Sequence, residues 1–208
     1  MDNLKLVLFD LDGVLIESRE NMEVSWSAVQ SAFGLDIPFE DYFKNIGRPF
    51  EDILHLIGVK TKKVEIKTVY DTVSAARIDL IRFNQDCVTL VKKLRALNLM
   101  TGIVTSKSLD RTLEIVKRSG LLFDYIDAPP LGPRGKPNAD PILRAILECQ
   151  STPSDVVYIG DMDVDYECAY RAGVSYFHAN WGYGKCPDAA DSLDKPLELL
   201  GKLGLSCD

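Results

Sequence analysis

The stretch LKLVLFDLDGVL at residues 4–15 constrains this chain more than any other. Four apolar, β-favouring residues, Leu6, Val7, Leu8 and Phe9, run directly into Asp10-Leu11-Asp12-Gly13. A short unbroken apolar run predicts a strand buried on both faces, as in parallel sheets flanked by helices. Residues i and i+2 of an extended segment point the same way, so the spacing turns Asp10 and Asp12 toward one site. Gly13 then lets the chain turn away. Open α/β sheets bind their ligands at the carboxyl ends of their strands, where this pair stands. Two adjacent carboxylates repel each other, so a cation is expected beside them, most simply a metal ion with oxygen ligands. A bare DxDG is equally compatible with an acidic turn that does no chemistry, and the rest of the chain has to decide.

The 208 residues, 46% of them hydrophobic, suffice for one core, or for one core and a small accessory domain. A net charge of -7 argues against a nucleic-acid or membrane-surface partner. No apolar run reaches the roughly 20 residues that cross a bilayer. No basic segment with an apolar stretch precedes the first strand, so a cytoplasmic protein is expected. The five cysteines (Cys87, Cys149, Cys168, Cys186 and Cys207) are odd in number, scattered and form no CxxC. That pattern suits reduced thiols better than a disulfide framework or a zinc site. His55 and His178 fall in no HExxH pattern and read as ordinary residues.

After Leu15 the period changes. Met22, Trp26, Val29 and Phe33 recur at spacings of three and four, which predicts a helix that Gly34 stops. Residues 39–46, 50–57 and 64–83 also read as helix, the first two separated by Gly47-Arg48-Pro49. No strand is expected from 17 to 83. An all-helical block between a first strand and a regular strand–helix alternation reads as an insertion with its own fold. The expected division is a core of residues 1–16 and 84–208 and an insert of residues 17–83.

From Asn84 onward strands and helices alternate. Cys87, Leu90, Val91, Leu94 and Leu97 mark a helix, and residues 100–105 a strand with a polar end. Leu109, Leu113, Val116 and Lys117 mark a helix that Gly120 ends. A short strand at 123–128 leads into the loop PPLGPRGKP. Asp140 as N-cap and Pro141 as first residue open a helix whose core face is Ile142, Leu143, Ile146 and Leu147. Residues 156–159 form the next buried strand, 164–172 a helix stopped by Gly173, 175–178 a last strand and 197–203 a closing helix. Such repeats predict a three-layer α/β fold, a parallel sheet with helices on both faces.

Three polar features follow strands in this reading: Thr105-Ser106, Lys136, and Asp161 with Asp165. A parallel sheet puts all of them on one edge with Asp10 and Asp12. Each suits phosphoryl transfer. A carboxylate can carry the phosphoryl group, and a second can protonate the leaving oxygen and then activate water. A hydroxyl and an ammonium can hold phosphate oxygens, and further carboxylates can hold Mg²⁺. The i, i+4 spacing puts Asp161 and Asp165 on one face of a helical turn, with Asp163 between them expected in solvent. Taken singly, Thr105 could be a helix cap, Lys136 a surface lysine, and the two acids capping groups. All of them in this order is a far more specific pattern.

That order of motifs, FDLDGVL, TS, KP and GDxxxD, with a helical insert after the first, resembles the haloacid dehalogenase superfamily on its phosphatase side. The likeness covers nearly the whole chain. It implies a Rossmann-like core under a helical cap, with Asp10 as nucleophile and Asp12 as general acid and base. Thr105, Ser106 and Lys136 would bind phosphate. Mg²⁺ would be held by Asp10, Asp161 and the main-chain carbonyl of Asp12, with Asp165 as a ligand or as a group that orients one. GIVTSK, GKPNADP, YIGDMDVD and WGYG narrow the likeness to phosphoglycolate phosphatase and its sugar-phosphatase relatives. Asn84-Gln85 stands where those relatives carry Pro-Gly, and the Pro-rich loop before Lys136 also departs from them.

The implied activity is hydrolysis of a small phosphorylated metabolite by a monomer or homodimer. Arg48, at the break between two insert helices, is the candidate for binding the rest of the substrate, since Arg suits anionic oxygens. A solvated loop arginine is the plain alternative. Lys107 and the residues Trp181, Gly182, Tyr183 and Gly184 are further substrate-side candidates, whereas Trp26 and Phe33 read as insert core. A sugar phosphomutase of the same fold is the competing enzyme. A non-catalytic phospho-ligand module of the receiver type is the competing class, although receivers are much shorter and lack the insert.

Overall fold

The computed structural model describes residues 4–129, 134–188 and 190–205. Its strands are β1 (Leu6–Phe9), β2 (Ile16–Glu17), β3 (Arg82–Phe83), β4 (Met100–Val104), β5 (Tyr125–Asp127), β6 (Val156–Gly160), β7 (Ser175–Ala179) and β8 (Asp191–Leu193). Six of them form one parallel sheet in the order β5-β4-β1-β6-β7-β8. Phe9 of β1 lies opposite Ile103 on one side and Ile159 on the other. The residues that follow those positions, Asp10, Thr105 and Asp161, therefore emerge together at one edge.

β1 is buried throughout. Its alternating side chains enter two different cores, as the period of a strand requires. The helices of the sheet layers are α5 to α9, counted after four helices, α1 to α4, that lie between β2 and β3. Val7 and Phe9 join the core under α5 (Gln85–Ala96), α6 (Leu109–Ser119) and α9 (Glu198–Lys202). Leu6 and Leu8 join the core under α7 (Asp140–Glu148) and α8 (Asp163–Ala172). The continuous apolar run thus serves both faces of a three-layer α/β fold.

The four helices between β2 and β3 are α1 (Arg19–Phe33), α2 (Phe39–Phe43), α3 (Phe50–Leu56) and α4 (Lys63–Ala76). They gather a third cluster around Trp26, which is fully buried and stacks on Tyr42 at 4.7 Å. Its indole N–H donates to the Ile37 carbonyl at 2.9 Å. Met162 and Val164, from the sheet side, also enter this cluster and join the two parts.

Several expectations need correction. The stretch expected to be free of strand begins and ends in one: β2 and β3 pair antiparallel, Ile16 with Phe83 and Glu17 with Arg82. Two residues are too few to show a period in sequence. The helix expected over 64–83 stops at Ala76, and a 3₁₀ turn, Ile78–Leu80, leads into β3. β7 is not the last strand. β8 follows it, and its sequence, DSL, carries one apolar residue. Asp140 lies inside the first turn of α7 and pairs with Arg134 at 3.0 Å. Leu143 and Leu147 of α7 and Leu113 of α6 are exposed, because Ala145 and Pro141, and Arg111 and Thr112, take the inward positions. Cys87, Cys149, Cys168 and Cys186 are unpaired, and Cys207 lies outside the described residues. Part of the Pro-rich loop, residues 130–133, also lies outside them. No helix among the described residues is long and apolar enough to cross a membrane.

Asn84 is the N-cap of α5. Its side-chain oxygen accepts from the main-chain N–H of Asp86 at 3.0 Å and of Cys87 at 3.2 Å. Asn84→Ala should cost about 1 kcal/mol, seen as a fall of about 2–4 °C in Tm, and Asn84→Asp should be close to neutral. Equal losses in the two variants would deny the side chain its capping role.

Candidate active site

Lys136 is the centre of the site. Its side chain is 1% exposed, and its ammonium donates to Asp10 Oδ1 and to Asp165 Oδ1, each at 2.7 Å. The Tyr158 hydroxyl, 3.3 Å from the same nitrogen, also donates to Asp165 Oδ1 at 2.9 Å. Asp165 Oδ2 accepts from the main-chain N–H groups of Asp161 (3.1 Å) and Met162 (3.0 Å). Each of its oxygens thus has two donors, which uses the lone pairs a carboxylate offers. Asp165 is a saturated bracket between Lys136 and the start of α8.

Asp10 and Asp161 differ from it. Asp10 has one side-chain hydrogen bond among the described residues, from Lys136 to Oδ1, which leaves Oδ2 to the adjoining cavity. Asp161 Oδ2 accepts from Tyr183 N at 2.6 Å, and its buried Oδ1 has no partner. Carboxylate oxygens of Asp10, Asp161 and Asp165 lie within 4.8 Å of one another. Three acids therefore face one ammonium, with an orphaned oxygen among them. Such an all-oxygen set fits a hard divalent cation.

Burial pushes Asp10 up to about 7, with Lys136 opposing and the Asp165 charge adding to the rise. Burial, reinforced by Asp10 and Asp165, raises Asp161 well above the ordinary carboxylate range. Burial alone would discharge Lys136, but Asp10 and Asp165 outweigh it and keep the ammonium protonated.

Backbone close to Asp161 is glycine by necessity. A Cβ on Gly13, whose φ is +90°, would lie 2.2 Å from Asp161 Oδ2, and one on Gly182 would lie 2.2 Å from Asp161 Cβ. The WGYG stretch, read from sequence as facing substrate, instead wraps this carboxylate.

A cavity of about 530 Å³ opens above the strand ends, between the sheet edge and the helices α1 to α4. Asp12 lines it, with Oδ1 accepting from Ser18 Oγ at 2.6 Å and the Lys107 ammonium 3.3 Å away. Thr105 also lines it, and its hydroxyl oxygen accepts from Lys107 N at 3.1 Å. The Ser106 hydroxyl donates to the Gly47 carbonyl at 2.6 Å, so Ser106 offers the cavity its main chain. Arg48 lines the cavity too, but a terminal guanidinium nitrogen donates to Asp163 at 2.8 Å, and its buried Nε is unpartnered. Asp163 is exposed, as expected, and from the surface it also forms an ion pair between the insert and α8.

Asp10, Asp161, Asp165 and Lys136 thus meet directly, with Asp12 and Thr105 on the same cavity. Sequence reasoning missed Tyr158 and Ser18. Tyr158 reads as one more strand residue, and its hydroxyl function shows only when Lys136 arrives from a distant loop. Ser18 has a fainter signal, six residues after Asp12 across the turn at Gly13.

A group whose folded-state value lies above its unfolded one is a burden once ionised. The penalty is absent below the unfolded value near 3.8 and grows as pH rises through the folded one. In metal-free protein Asp161→Asn should therefore raise Tm by several degrees at pH 8, and by less at pH 5. Thermal melts across that range test it, and a gain that grows toward acid would reverse the assignment.

Several curated proteins and solved structures are similar to this chain over nearly its whole length. PpaX of Clostridium perfringens, provisionally named a pyrophosphatase, is 26% identical over 212 residues, 95% of this chain and 96% of its own. Beta-phosphoglucomutase of Bacillus subtilis is 28% identical over 225 residues, 95% of this chain and 94% of its own. The crystal structure of a predicted phosphoglycolate phosphatase from Haemophilus somnus superposes with a TM-score of 0.88 at 19% identity, over 98% of this chain and 99% of that one. The chain belongs to the haloacid dehalogenase-like hydrolases, whose family profile matches its residues 7–179, from β1 to the end of β7.

Proposed function

We propose that the chain is a Mg²⁺-dependent phosphomonoesterase that passes the phosphoryl group of a small phosphorylated metabolite to Asp10 and then to water. The observation that carries this reading is the placement of Asp10, with Lys136 on Oδ1 and Oδ2 left to the cavity. A carboxylate oxygen fixed in this way is a nucleophile for phosphorus. As the Asp10–phosphorus bond forms, the ester oxygen leaves with a proton from Asp12. In the second half Asp12 takes a proton from water, which attacks phosphorus and releases Asp10 and inorganic phosphate. Thr105 and the main chain of Ser106, on the cavity wall, would hold the non-bridging oxygens, with Lys136 behind Asp10 adding positive charge.

The cation set would be Asp10, Asp161 and the main-chain carbonyl of Asp12, because Asp165 has no lone pair to give. Bound Mg²⁺ would offset the negative charge of phosphate against these acids. Residues 17–83 would act as a cap that covers the cavity and keeps bulk water from the phosphorylated Asp10. The cavity suits a small molecule.

The sheet-edge residues address the phosphoryl group, which every substrate shares, so selection falls to the cap. Arg48 is its candidate, held at the cavity wall by Asp163.

Phosphate release from a panel of phosphorylated metabolites tests the activity. It should need Mg²⁺, stop with EDTA and vanish in Asp10→Asn while the fold survives. Isomerisation of a sugar phosphate without phosphate release would favour a mutase, and activity in folded Asp10→Asn would sink the nucleophile. Arg48→Ala should lower kcat/KM by roughly 1.5–3 kcal/mol for a substrate with an anionic group on its alcohol. p-Nitrophenyl phosphate, which lacks that group, should suffer much less. Parallel losses would place Arg48 at the phosphate or in the packing.

A further inference from the structure

We infer that Tyr183 is a positioning residue that braces the two halves of the site, Asp12 through Ser18 with its hydroxyl and Asp161 with its main-chain N–H. The inference rests on the phosphatase reading above and assigns to Tyr183 a part that reading does not need. The Tyr183 hydroxyl accepts from Ser18 N at 2.7 Å and donates to Glu17 Oε1 at 2.9 Å. Ser18 is fully buried, so its N–H has no water to turn to if that acceptor is lost. The Ser18 hydroxyl in turn donates to Asp12 Oδ1 at 2.6 Å, a shorter contact than the 3.3 Å to Lys107. At the other end of the residue, Tyr183 N donates to Asp161 Oδ2 at 2.6 Å.

The ring between these ends has little freedom. Its edge meets Phe43 of α2 with centroids 5.0 Å apart. A Cβ on Gly182 before it would lie 2.2 Å from Asp161 Cβ, and one on Gly184 after it 2.1 Å from the Asp161 carbonyl oxygen. A rigid residue held at both ends can fix the separation between the acid and the metal-side carboxylate. Both partners of its hydroxyl, Glu17 and Ser18, stand at the point where the chain leaves the sheet for the insert.

The two ends can be cut separately. Phenylalanine removes the hydroxyl and keeps the N–H, so its effect should travel through Ser18 to Asp12. An acid matters most when the leaving alcohol is poor. The readout is therefore the ratio of kcat/KM on glycerol phosphate to that on p-nitrophenyl phosphate. Tyr183→Phe and Ser18→Ala should each lower this ratio about tenfold, as for loss of one charge-linked hydrogen bond. The double variant should fall no further than the more affected single, because both cuts break one chain. Mg²⁺ binding to the metal-free proteins, by calorimetry, should stay within about threefold of wild type in Tyr183→Phe. An unchanged ratio, multiplying losses in the double variant, or weakened Mg²⁺ binding with equal loss on both substrates would overturn the inference. If Tyr183→Phe does not fold, Tyr183→Met, which also lacks the hydroxyl, takes its place: the ratio must fall in it as in Ser18→Ala, and an unchanged ratio overturns the inference. A wild type inactive on both substrates would remove the phosphatase reading, and this inference with it.

Discussion

The site depends on one buried ammonium. Lys136 enters a place from which water is excluded, and does so between two carboxylates. Removing such charges from water costs several kcal/mol each, and their attraction offsets this only when the geometry is good. Here the remaining groups supply it: Tyr158 and two main-chain N–H groups complete Asp165, so the aspartate that faces Lys136 cannot turn away. Lys136 comes from the loop after β5, and Asp165 from the first turn of α8. The pair therefore ties two crossover connections to the end of β1. Asp10 is placed by contacts that the sheet itself does not provide.

A second constraint is spatial. Asp161 is enclosed by main chain on two sides, at Gly13 and at Gly182, with no room for a Cβ at either. Packing backbone against a carboxylate gives it donors at fixed positions and denies it other rotamers. The result is a carboxyl group with one oxygen satisfied and the other left bare. In a structural acid that arrangement would be a defect. In a cation site it would be a ligand atom of defined direction.

The sheet and most of the site residues were legible because their signals are local. β1 announces itself by an apolar run that two cores share, and Asp10, Asp12, Thr105, Asp161 and Asp165 each follow a strand or open a helix. What escaped was set by tertiary contact. β8 has one apolar residue and forms because β7 offers it an edge. Leu143 and Leu147 fit a helical stripe in sequence, yet the neighbour α8 packs on a face where small Ala145 lets it approach. The pairing of exposed Asp163 with Arg48 went unseen because the two are 115 residues apart. Ser106 looked like a phosphate ligand by type, but its hydroxyl met the Gly47 carbonyl first.

The antiparallel pair of β2 and β3 has a meaning beyond its size. It brings the entry and exit of a long insert side by side, Ile16 against Phe83, so the sheet is interrupted at one point only. Such a junction makes the two parts modular. Another insert, of different length or fold, could be grafted at the same two residues with β1 and β4 still in register. On the proposed reading, selectivity would then diverge by exchange of one cassette while the residues at the sheet edge stay as they are.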